Sequence, residues 1–137
     1  MELRTRYTFL ALIIAQAAHS VEECVFGLWR VFLPSRWALD ASVDARALVF
    51  ALANIAVVAF GVWCYAVRVR TGHASAFRLM WLWAIVEMVN GSVHIVMAVR
   101  RGGYFPGVAT ASVLLMAAVL LAVQLRRGRM ERNTTGG

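Results

Sequence analysis

Residues 47–67 read ALVFALANIAVVAFGVWCYAV and residues 102–125 read GGYFPGVATASVLLMAAVLLAVQL, which makes 21 and 24 consecutive positions without a charged side chain. A helix needs about 20 such residues to cross roughly 30 Å of hydrocarbon. The rest of the 137-residue chain has the same character, with 61% hydrophobic and 15% charged residues and a mean hydropathy of +0.70. Average soluble domains carry about 25% charged residues. These figures exclude disorder, and two cysteines are too few for a disulfide scaffold.

Two further segments have spanning length but are interrupted: residues 7–29 carry His19, Glu22 and Glu23, and residues 79–99 carry Glu87 and His94. Backbone in lipid must satisfy its own hydrogen bonds, so all four segments are predicted to be helices. The expected fold is all-α, a four-transmembrane-helix up-down bundle with spans 7–33, 46–68, 77–100 and 106–126. Residues 1–126 form one domain, and residues 127–137 read as a polar cytoplasmic tail that frays. Pro34-Ser35-Arg36 opens the first loop, and Ser42 or Asp44 is placed to cap the second helix. Gly72 marks the second loop, and Gly102-Gly103-Tyr104-Phe105-Pro106 forms the third, with Pro106 in the first turn of the last helix. A competing reading takes Met1–Arg6 and the small residues Ala15-Gln16-Ala17 as a secretory signal with its cleavage site. The apolar character resumes beyond it, through Val25-Phe26-Gly27-Leu28-Trp29, and favours a full span.

The chain carries a net charge of +7, and all 14 basic residues are arginine. A nucleic-acid partner would need a soluble basic face, whereas these arginines punctuate apolar spans, so no nucleic-acid partner is expected. Nine of them (Arg4, Arg6, Arg68, Arg70, Arg78, Arg126, Arg127, Arg129 and Arg132) fall on the side of both termini, and five (Arg30, Arg36, Arg46, Arg100 and Arg101) on the other. The positive-inside rule then places both termini in the cytoplasm, with a bacterial inner or plasma membrane as the expected location and membrane lipids as the surroundings. Trp63, Tyr65, Trp81 and Trp83 fall toward the inner interface, and Trp29, Trp37, Tyr104 and Phe105 toward the outer. Cys24 and Cys64 lack a CxxC partner and read as free thiols.

The informative residues are those that do not belong in hydrocarbon. A charged group at the centre of a span costs about 2.5–3.5 kcal/mol, so Glu22, Glu23 and Glu87 must be paired, protonated or bound to a cation. Glu22 and Glu23 follow His19 at i+3 and i+4 and flank the imidazole on one helix face. Trp83, Glu87, Asn90 and His94 form a second stripe at i, i+4, i+7 and i+11. Counted from the cytoplasmic ends, the two stripes occupy one layer, which Asn54 approaches from the second helix and Thr110 and Ser112 from the fourth. Carboxylate and imidazole suit Fe, Mn or Zn, and helical bundles assemble one- and two-metal sites from such residues. The expected cofactor is therefore a divalent metal, as one or two ions. Against this, a single membrane histidine commonly only bonds a neighbouring helix, Gln16 and Asn54 fit interhelical glue, and Trp83 fits packing.

At these residues the chain closely resembles the HXXEE domain family of small prokaryotic membrane proteins. The name-giving motif stands here as His19-Ser20-Val21-Glu22-Glu23, followed by Asn90-Gly91-Ser92-Val93-His94, Tyr104-Phe105-Pro106-Gly107 and Thr110. The resemblance implies family roles for His19, Glu22, Glu23, Asn90, His94, Tyr104, Pro106, Gly107 and Thr110, but brings no activity with it. Glu87 enters from the helical stripe alone.

The function expected from these residues is that of an integral membrane protein with an intramembrane His/Glu/Asn site that binds metal and acts enzymatically on a lipophilic small-molecule substrate, as an oxidoreductase or a hydrolase. His19, Glu22, Glu23, Glu87 and His94 are the candidate metal ligands. Glu22, Asn90, Tyr104 and Thr110 are the candidate catalytic set, with Glu22 also a general base, Asn90 orienting a ligand, and Tyr104 and Thr110 roofing the outer mouth. The alternatives are a metal-free acid–base lipid isomerase, a proton or cation conductor, and a non-enzymatic subunit of a membrane assembly.

Overall fold

The structure, a computed structural model, describes residues 2–31 and 42–135, with side chains as far as residue 130. The expected loop Pro34-Ser35-Arg36 and the belt residue Trp37 lie outside the described residues. Four long helices follow one another: α1 (Leu3–Val25), α2 (Val43–Trp63), α3 (Ala76–Arg101) and α4 (Val108–Thr135). All four are long and apolar enough to cross a membrane, and no strand occurs among the described residues.

Helix α4 is the spine. Helices α1 and α3 both pack along it, α2 leans on α1, and the backbones of α1 and α3 hardly meet. Arg6 donates to the carbonyl of Arg70 at 2.9 Å, the rings of Phe9 and Trp83 lie 6.4 Å apart and those of His19 and His94 4.6 Å apart, so α1 and α3 run in the same direction. Helix α4 runs against them, its first turn lying beside the end of α1. Phe9, Leu12, Met80, Trp83, Leu114 and Leu121 fill the contact along the inner part of the three-helix unit. Between helices in lipid such contacts act through close packing, since the surrounding tails are as apolar as the core. Val49, Leu52 and Ile55 on α2 stay exposed, as lipid-facing side chains do. Trp83 belongs to this packing and not to an interfacial belt: it is buried, and its ring also stacks against Phe60.

Two boundaries differ from the sequence expectation, and one span ends near its expected residue in another helix type. Helix α1 ends at Val25, well before residue 33: Phe26 makes the last i→i−4 bond, to the Glu22 carbonyl, whereas Gly27 bonds only three residues back, to Cys24, and its backbone is left-handed. A short 3-10 turn, Leu28–Arg30, follows. The second span ends in a π-helical turn, Cys64–Val69, in which the N–H of Arg70 reaches the carbonyl of Tyr65 at 2.8 Å. The stretch after Arg126 is helical to Thr135, in keeping with the helix preference of arginine, methionine and glutamate. At the start of α2, Ser42 is the cap: its hydroxyl accepts from Ala45 N at 3.2 Å.

Candidate metal centre

The N-terminus of α4 organises the site. The first turn of a helix presents unpaired N–H groups, usually satisfied by a side chain of the residue just before it. Here that residue is Gly107, whose carbonyl accepts from Ala111 at 2.9 Å and which has no side chain to offer. Pro106 therefore precedes α4 instead of opening its first turn. The missing cap comes from Glu22 on α1. One carboxylate oxygen accepts from the Tyr104 hydroxyl at 2.6 Å and Ala109 N at 3.1 Å, the other from Thr110 N at 2.8 Å and the Thr110 hydroxyl at 2.6 Å. Four donors fill the acceptor positions of a carboxylate, so Glu22 is committed to clamping α4 onto α1 and has no lone pair left for a cation.

Those bonds fix the next layer. Thr110 has one hydroxyl proton, and it goes to Glu22. His19 Nδ1, 2.8 Å from the same hydroxyl oxygen, must then donate to it. His94 Nδ1 lies 2.7 Å from the Pro106 carbonyl, which can only accept, so this nitrogen also carries a proton. With Nδ1 carrying a proton in both rings, each Nε2 presents a lone pair when its ring is neutral and an N–H when the ring is charged. Both nitrogens lie near one atom: Glu23 Oε1 is 3.3 Å from His19 Nε2 and 3.1 Å from His94 Nε2. His19 Nε2 has no hydrogen-bond partner although it is buried. His19, Glu23 and His94 are all buried, and their donor atoms lie within 4.8 Å of one another. The loop between α3 and α4 closes over them. The Phe105 ring sits 5.6 Å from that of His94, and a Cβ at Gly107 would come within 2.8 Å of both imidazoles.

Glu87 forms a separate cluster one level further inward. Asn90 donates to it at 3.2 Å, and with the Gln16 amide turned to suit both its neighbours, Gln16 donates to the two Glu87 oxygens at 2.9 and 3.2 Å and accepts from Ser20 at 3.1 Å. Of the five expected ligands, then, the structure brings together His19, Glu23 and His94, while Glu22 and Glu87 lie beside the trio. Of the expected catalytic residues, Tyr104 and Thr110 roof the mouth through Glu22, and Asn90 attends Glu87. Asn54 turns back on its own helix, donating to the Phe50 carbonyl, so α2 supplies nothing to the site, and Ser112 is exposed. Two contributors depart from expectation: Gln16, which fits interhelical glue by sequence, and the Pro106 carbonyl. The second leaves no side-chain signal; the first was legible, since Gln16 lies one turn before His19 and Ser20.

The Tyr104 phenol is pushed up to about 12 by partial burial and by the Glu22 carboxylate it donates to. Its hydrogen bond is thus complete below pH 10 and is lost as the pH rises from there toward about 12. Tyr104→Phe is expected to lower stability by about 1 kcal/mol, since the phenol is half exposed and water competes for it. Thermal unfolding in detergent checks this, and an unchanged midpoint would mean that the latch contributes nothing.

A family model described as "Protein of unknown function with HXXEE motif" matches residues 10–122. No curated protein and no solved structure matches the chain.

Proposed function

Because the chain belongs to the family of proteins of unknown function with the HXXEE motif, we propose its function from its own geometry: His19, Glu23 and His94 hold a divalent metal ion inside the membrane, and that ion serves catalysis on a lipophilic substrate. The observation that carries this reading is the convergence of two buried Nε2 atoms, from rings already tethered through Nδ1, on one carboxylate oxygen. Three acceptors facing one another in a dry site repel unless something positive lies among them. Imidazoles tethered through Nδ1 with Nε2 left free are the usual posture of metal-ligating histidines.

Two nitrogens and one carboxylate suit Fe, Mn or Zn, and a three-residue set leaves coordination positions open for a reacting molecule. Bound there, the metal supplies Lewis-acid or redox chemistry. The chain's own residues hold the two rings in one tautomer, cap α4 and shield the trio from the outer surface. The helices that carry the site are of membrane-spanning length and composition, which favours an apolar substrate. A proton is the competing occupant: shared between Glu23 and an imidazole, it relieves the same repulsion and suits an acid–base isomerase.

Metal analysis separates the two. Detergent-purified protein is expected to carry stoichiometric metal. Because the ion ties α1 to α3, helices that otherwise meet mainly through α4, it should also raise the unfolding midpoint. An ion at a hundred times its Kd stabilises by about 2.7 kcal/mol. Protein that purifies without metal and unfolds identically with and without added Fe, Mn or Zn overturns the metal reading in favour of the proton.

A further inference from the structure

Glu87 is 1% exposed and sits mid-helix in a span. Among the described residues its hydrogen bonds go to two neutral amides, Asn90 and Gln16, and to no metal-site residue. The groups that act on it electrostatically are His19 and Glu23, both on α1. His94 lies further out on its own helix; α4 has no charged residue between Val108 and Arg126; α2 has only Asp44 and Arg46, in its first turn, and the π-helical turn at its other end adds Cys64, Tyr65 and Arg68. No arginine or lysine occurs in residues 7–29, 47–67, 79–99 or 102–125. A charged Glu87 therefore has one source of compensation, whatever binds at the trio.

The surroundings of Glu87 accommodate both protonation states with no change other than an exchange of the Gln16 amide oxygen and nitrogen. With the carboxylate ionised, Gln16 donates to it at 2.9 and 3.2 Å and accepts from Ser20 at 3.1 Å. With Glu87 protonated, its hydroxyl donates across the same 2.9 Å to the Gln16 carbonyl oxygen, and the Gln16 nitrogen donates to Ser20 at 3.1 Å. Asn90 donates to Glu87 in both. A half-turn of one amide exchanges two fully bonded networks.

We infer that Glu87 is a proton-exchange site coupled to the metal centre: it holds a proton while the trio is free of cation, and releases it when a divalent ion binds there, the Gln16 amide turning over in the same step. This rests on the metal reading above. The charges balance. A divalent ion with the single carboxylate of Glu23 leaves one positive charge in the site, and Glu22 is already occupied by the start of α4. Breaking the Glu87 O–H bond leaves its electron pair on the carboxylate, which cancels that charge, and the proton goes to solvent.

The test titrates zinc chloride alone into unbuffered, detergent-solubilised full-length protein and counts protons released per ion bound, with infrared difference spectra read alongside. Wild type is expected to release one proton more than Glu87→Gln and to lose a carboxylic-acid carbonyl band that the variant never shows. Glu87→Gln should still bind zinc, more weakly and with an affinity that depends less on pH. Gln16→Met, which removes the amide that supports the ionised form, should show the same lowered proton count and serves if Glu87→Gln does not fold. Zinc binding with equal proton release in wild type and variants overturns this inference alone. Failure of wild type to bind zinc overturns the metal reading and this one with it.

Discussion

Glu23→Gln is expected to fold and to lose metal affinity by more than about a hundredfold, since disturbing even the partners of metal ligands commonly costs 10–100-fold. The two effects have one cause. In the wild type, Glu23 Oε1 stands 3.3 and 3.1 Å from two imidazole nitrogens, an arrangement that needs a cation or a proton among them. An amide of the same shape places N–H donors where that oxygen stands, and these donate to the imidazoles with no ion present. The variant removes the anion that attracts the metal and supplies the hydrogen bonds that the metal-free site lacks. Its unfolding midpoint should match or exceed that of metal-stripped wild type, while added metal no longer raises it. A Glu23→Gln protein that retains stoichiometric metal would place the ion elsewhere; one that unfolds well below the stripped wild type would mean that Glu23 is structural in its own right.

The parts of this molecule that were legible in its sequence are those that lipid enforces. Uncharged runs had to be spans, because backbone in hydrocarbon has no other partner than itself. Polar residues within the interrupted spans had to meet, because none could face lipid. Which of them meet was only partly legible. Glu22 and Glu23 are neighbours on a helix, about 100° apart around its axis, so one reaches the N-terminus of α4 while the other faces His94. Spacing alone assigns both to one face. Glu87 and His94 do share a face, but seven residues separate them by about 10.5 Å along the axis, too far to ligate one ion. The family resemblance singled out Pro106 and Gly107 without a reason. The reasons are a carbonyl that fixes the His94 tautomer and a backbone against which both rings pack. Neither is a property of a side chain, and neither could be read before the chain was folded. The end of α1 was hidden for a similar cause: Val25-Phe26-Gly27-Leu28-Trp29 is apolar enough to continue the span, and the left-handed backbone of Gly27, with its bond back to Cys24, closes the helix instead.

Gly107→Ala should be the most damaging single-methyl change in the molecule. Gly107 has φ +90°, where an L side chain is strained by about 1–3 kcal/mol. Its Cβ would stand 2.6 Å from His94 Nδ1, 2.7 Å from His94 Cε1 and 2.8 Å from His19 Cε1, and overpacking of that kind adds about 1–3 kcal/mol. Relief by moving the rings breaks the bonds from His94 to Pro106 and from His19 to Thr110; relief by moving the backbone shifts the carbonyl that accepts from Ala111 at the start of α4. Every route out of the clash dismantles the posture that leaves Nε2 free. The expected loss is about 2–6 kcal/mol of stability together with metal binding. Gly102→Ala separates backbone strain from the clash, because Gly102 is also left-handed, at φ +67°, but an added Cβ there has nothing within 4 Å. It should lose about 1 kcal/mol and keep its metal. Equal losses of metal in the two variants would show that loop distortion alone unseats the ion, and that contact of Gly107 with the two imidazoles is not what holds them.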